Sequence, residues 1–134
     1  MNWWRRLLSR QTPEPLHAAP AVRRQKNYSA ASGYAYEYFY EGFRDEGGCR
    51  CHVFTVSADR KSWFELHVLV EDRAIEAWTA RHGRPLAANE RYAVAKMALF
   101  EAFDTRSGPG EMHAPVRVDT RAAERLLEQL GLDS

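Results

Sequence analysis

The stretch Tyr34-Ala-Tyr-Glu-Tyr-Phe-Tyr-Glu-Gly-Phe43 decides the fold, because tyrosine recurs in it at every second position. A β-strand sends alternate side chains to the same side. Tyr34, Tyr36, Tyr38 and Tyr40 therefore share one face, and Ala35, Glu37, Phe39 and Glu41 share the other. A row of phenols serves equally as core or as a contact surface with wet hydroxyls. Which of the two it becomes depends on what the rest of the chain lays against it.

After this strand, Arg44-Asp-Glu-Gly-Gly48 reads as a turn, since paired glycines supply the positive φ that a hairpin needs. Residues 49–57 follow as a second strand, carried by Val53, Phe54, Thr55 and Val56. A short turn at 58–61 leads to a third strand over 62–70, with Phe64, Leu66, Val68 and Val70 on one face. Three strands joined by two short loops predict an antiparallel meander.

The period then changes. Ile75 and Trp78 are three apart, with Ala74 and Ala77 alongside, and Gly83 closes a short helix over 72–82. A second helix runs from about 86 to 104, and Ala93, Met97, Leu99, Phe100 and Phe103 give it a wide apolar stripe. Gly108-Pro-Gly110 interrupts the chain before a short strand at 113–118. Asp119 or Thr120 caps a last helix built on Ala123, Leu126, Leu127 and Leu130. The order βββααβα predicts an α+β fold, a two-layer sandwich. Its sheet is three- to four-stranded and mainly antiparallel, with the helices packed on one face.

At 134 residues the chain is expected to form one domain with an adequate core. Residues 33–134 read as that single α+β domain, and residues 1–32 as a basic, Pro- and Ala-rich flexible tail. The tail holds Pro13, Pro15 and Pro20, which forbid a continuous helix. Residues 1–26 carry a net charge of +5 against an overall +1, so a basic leader precedes a mildly acidic body. Cys49 and Cys51, one residue apart, make a disulfide framework untenable. No stretch approaches the length of a bilayer span, and Arg5 and Arg6 interrupt any signal-peptide core. The body is expected in the cytoplasm.

Register sets the function expected. Pairing Ser57 with Ser62 brings His52 opposite His67, Phe54 opposite Glu65 and Val56 opposite Trp63, and pairing Phe43 with Cys49 brings Tyr40 opposite His52 and Tyr38 opposite Phe54. The helices then cover Phe39, Cys51, Val53, Phe64, Leu66, Val68 and Val70, and the tyrosine face stays open. A one-residue slip exchanges the two faces. On this register Tyr34, Tyr36, Tyr38, Tyr40, His52, Phe54, Trp63 and His67 form a binding surface, larger than a monomer exposes without reason. The expected function is a small non-catalytic protein-interaction domain that uses this aromatic face for self-association, as a homodimer, or for docking a partner. The alternative is a module for a small ligand or single-stranded nucleic acid on the same face. Nucleic acid is disfavoured because Glu37 and Glu41 lie on the adjoining strand positions and cations are scarce. In the leader, Trp3, Trp4, Leu7 and Leu8 group on one helical face beside Arg5, Arg6 and Arg10. That segment can fold back, dock in a partner or make weak peripheral contact with a membrane.

No motif argues for catalysis, a cofactor or a metal. Cys49-Arg-Cys51-His52 has metal-binding residue types, but a strand turns His52 away from the two thiols. His52, His67 and Glu65 make a closer cluster on the register above, read as a solvated face. The chain has no P-loop, nucleophile elbow or dinucleotide fingerprint.

Overall fold

A computed structural model of the chain describes residues 15–131. Five strands, β1 (Lys26–Ser29), β2 (Ala35–Glu46), β3 (Cys49–Ser57), β4 (Phe64–Glu71) and β5 (Val116–Val118), form one sheet in sequence order. Three helices, α1 (Asp72–His82), α2 (Ala88–Thr105) and α3 (Thr120–Gln129), complete an α+β architecture. The first four strands are antiparallel neighbours, while β5 runs parallel to β4. Parallel neighbours require a long crossover, and the β4–β5 connection contains both α1 and α2. The sheet is thus mixed and has one strand more than the periodicity suggests.

The additional strand lies inside the expected tail. Lys26–Ser29 pairs with Tyr38 to Ala35, and His17 exchanges backbone hydrogen bonds with Phe43 at 2.7 and 2.9 Å. Residues 15–32 therefore run along the edge of β2 rather than apart from the domain. Gly42 makes room for them. Its φ is 118°, and a Cβ there would lie 2.6 Å from the His17 carbonyl oxygen.

The helices start and stop where local chemistry directs. Asp119, not Thr120, caps α3 and accepts from the Ala122 N–H at 2.9 Å. Glu90 in the first turn of α2 accepts the Ala87 N–H at 2.9 Å. Gly83, at φ 74°, closes α1 by donating to the Thr79 carbonyl.

The β4 register corrects the expected placement of the two sheet faces. Val56 opposes Phe64, Phe54 opposes Leu66 and His52 opposes Val68, one residue away from the expected pairing. The cause is the loop at 58–63. Ser57 Oγ accepts from the Arg60 N–H at 2.8 Å, and the Asp59 carboxylate accepts from the Lys61 and Ser62 N–H groups, both at 2.8 Å. This Ser/Asp turn places Ser57 opposite Trp63 and so consumes one more residue than a four-residue turn would. Leu66, Val68 and Val70 consequently join the tyrosine face. The helices follow them, because burial is favourable at roughly 25 cal/mol per Å² of apolar surface. One core then unites Tyr36, Tyr38, Phe54, Val56 and the β4 apolar row with Trp78, Leu99, Phe103, Leu126 and Leu127.

The β2–β3 pairing is corrected as well. Gly47 and Gly48, both at positive φ, form a two-residue turn between Glu46 and Cys49, and a bulge follows Tyr40. Tyr40 hence opposes Phe54, not His52.

Candidate functional site

The expected aromatic surface does not exist as one surface. Tyr36 and Tyr38 are 0% and 3% exposed, and His52 and Phe54 are buried with them. Their cover is α2. Phe103 stacks on Tyr36 at 4.3 Å between ring centroids, Phe100 meets Tyr38 edge-on at 5.8 Å, and Tyr92 tilts over Tyr40 at 4.6 Å. Trp63 and His67 fall on the opposite face, where Trp63 packs on Phe39 and His67 bonds Glu65 at 2.9 Å. The His52, His67 and Glu65 cluster is therefore divided by the sheet, as are Cys49 and Cys51 from His52. Among the described residues no three His, Cys, Asp or Glu side chains stand together as metal ligands. Tyr34, at 42%, and Trp63, at 38%, stay exposed. Trp3, Trp4, Arg5, Arg6, Leu7 and Leu8 lie outside the described residues.

Beyond Tyr34, the tyrosine row reaches the surface only at its far end, half-buried Tyr40, and there the structure opens a cleft. After a bend at Ala21–Val22, residues 23–25 run straight into β1, so successive side chains there take opposite sides. Arg23 and Gln25 turn to the outer face, where Arg23 grips Glu41 at 2.8 and 2.6 Å over the Phe39 ring and Gln25 reaches Glu37 at 3.2 Å. Pro20, Val22, Arg24 and Lys26 turn the other way. With Tyr38, Tyr40 and Tyr92 they wall a cavity of about 300 Å³. A second cavity of about 250 Å³ lies behind it, bounded by Phe43, Arg50, His52 and Asn89. Tyr40 and Tyr92 line both cavities and form the partition between them.

The polar groups of this cleft are set by burial. The Tyr40 hydroxyl and His52 Nδ1 are 3.0 Å apart. Desolvation, reinforced by the Arg50 and Arg91 charges, pulls His52 down to about 4, so the imidazole is neutral. Desolvation pushes Tyr38 up to about 12, aided by Tyr92, and raises Tyr40 and Tyr92 as well. His52 is only 2% exposed, and its Nε2 has no hydrogen-bond partner among the described residues. Arg91 Nε is in the same position, although the Arg91 guanidinium reaches Asp72 at 3.7 Å. Beside Lys26, which lines the cavity, burial and then the Lys26 charge lower Lys96. Lys96 follows Tyr92 by one helical turn.

Little of this was signalled by local pattern. The even-numbered residues 20–26 read as a proline-broken linker, and only their alternation of Pro, Val, Arg and Lys hints at a two-sided strand. Tyr92 looks like a surface position on α2 until the outer strands are placed. Protein-family models, curated proteins and solved structures were compared with the chain, and none matches it. No helix among the described residues is long and apolar enough to cross a membrane.

Proposed function

We propose that the protein is a non-catalytic binding domain, acting in the cytoplasm, whose small-molecule ligand lies in the cleft between residues 20–26, β2 and α2. One observation carries this reading. Two adjoining cavities share the Tyr40–Tyr92 partition, and the buried His52 ring, held 3.0 Å from the Tyr40 hydroxyl, lines one of them. Small-molecule sites are concave and mainly apolar, with few polar groups to orient the ligand. Binding is favoured over turnover because His52 and Tyr40 are tuned away from neutrality in opposite directions. A general acid or base works best with a pKa near the working pH.

The test uses N-phenyl-1-naphthylamine, a neutral flat fluorophore, titrated into the folded protein. Saturable enhancement is expected, and Val22→Trp should abolish it while leaving the thermal transition in place, because Val22 is solvent-exposed at the cavity wall. Enhancement that never saturates, or that survives Val22→Trp, would remove the cleft as the site.

A second reading, self-association, is favoured by a separate groove of about 390 Å³ where exposed Tyr34 and Trp63 flank Phe64 and His113. Exposed aromatics are enriched at interfaces. Gel filtration of Trp63→Ser against the parent chain tests it, and a parent that elutes as a monomer at every concentration ends it.

A further inference from the structure

We infer that the cleft selects an anion: a flat aromatic molecule with one carboxylate or phosphate head, seated at the mouth between Arg24, Lys26 and Lys96. This deepens the proposed ligand-binding reading and rests on it. Most other arginines on the surface are already committed. Arg23 holds Glu41, Arg50 holds Asp45, Arg84 holds Glu90 and Arg125 holds Glu101. Arg24, Lys26 and Lys96, by contrast, form no ion pair with the described residues. Arg24 and Lys26 line the cavity itself.

Placing like charges side by side is unfavourable, and it is more so where water is partly excluded. Burial and the charge of Lys26 both work against the Lys96 ammonium. An anion between the two lysines reverses that repulsion and accepts hydrogen bonds from both. Beyond the head, the walls are rings. Tyr40 and Tyr92, both half-buried, and the buried Tyr38 line the cavity, and Tyr38 and Tyr40 stay protonated at neutral pH, so they add no negative charge against the ligand. Arg24 and Lys26 line the cleft, and Lys96, one turn after Tyr92, stands beside Lys26. The three cations therefore converge from two elements, independently of any helix end.

The test compares two fluorophores of one shape on the full chain. N-phenyl-1-naphthylamine is neutral, and 8-anilinonaphthalene-1-sulfonate carries an anionic group on the same ring system. The sulfonate is expected to bind roughly tenfold more tightly or better, the size of one charge-assisted hydrogen bond. Lys26→Gln with Lys96→Gln should erase that preference, lowering the sulfonate's affinity by about tenfold more than the neutral probe's. Displacement of the sulfonate by 1-naphthoate and by 1-naphthyl phosphate then distinguishes a carboxylate from a phosphate ligand. Equal affinity of the two probes for the parent chain overturns the anion inference but keeps the cleft. Equal weakening of both probes by the lysine substitutions overturns it also. Failure of the neutral probe to bind at all overturns the ligand-binding reading beneath it.

Discussion

Acid is expected to destabilise this protein through His52 before its carboxylates contribute. His52 sits against Val68 and Phe54 in the sheet and beneath α2, and its pKa falls from 6.5 to about 4. Between those values an unfolded chain takes up a proton that the native imidazole refuses. The contribution is therefore whole above pH 6.5 and is lost as pH falls toward 4. Integrating over that gap gives a loss of ~3 kcal/mol at pH 4, of which ~2 kcal/mol is gone by pH 5. Glu41, Asp45 and Glu90 are held below their usual range, in each case chiefly by an arginine hydrogen bond. Their losses come at lower pH, so the interval from pH 7 to 5 belongs to His52. Urea unfolding followed by tryptophan fluorescence at pH 7, 6 and 5 measures it, on the parent chain and on His52→Gln, which can still accept the Tyr40 hydroxyl. The parent should lose ~2 kcal/mol across the interval and the variant less than ~0.5 kcal/mol. Parallel pH profiles for the two would refute the reasoning.

Other perturbations follow from single contacts. Gly42→Ala should cost roughly 1–3 kcal/mol by urea unfolding, because its positive φ and the His17 carbonyl both reject a Cβ. Tyr28→Phe should cost about 1 kcal/mol, since the Tyr28 hydroxyl donates to Asp104 at 2.7 Å and ties β1 to α2. Trp78→Ala should cost about 3–5 kcal/mol and leave a chain close to its unfolding threshold, because Trp78 is wholly buried and stacks on His82 at 4.4 Å. Cys51 should react with a thiol reagent only in denaturant, because burial both shields it and raises its thiol pKa; rapid labelling of the native protein would contradict this.

What was legible in the sequence was everything that repeats locally. Tyr34 to Tyr40 announced a two-faced strand, and Gly47 with Gly48 announced the turn after it. Trp78, Phe103 and the Leu126–Leu127 pair were readable as core from their helical spacing alone. The grouping of the tyrosines with His52, Phe54 and Val56 on one side of β2 and β3 also followed from period two. The candidate site was less legible. Tyr40 and His52 were singled out, but as members of an open face, while Arg24, Lys26, Tyr92 and Lys96 carried no periodic mark of a shared purpose.

Two features were decided only by tertiary structure. The strand Lys26–Ser29 has no apolar alternation of its own, and it exists because the edge of β2 offers unpaired backbone groups. The side of the sheet on which the helices settled turned on the loop at 58–63, where Ser57 and Asp59 capture backbone N–H groups and shift β4 by one residue. That shift brought Leu66, Val68 and Val70 to the tyrosines and made a core of what alternation alone left as a surface. Periodicity specifies which residues share a side of a strand, a property of the backbone within a few residues. Which sides meet is a property of pairing between strands, and there a single extra loop residue inverts the answer.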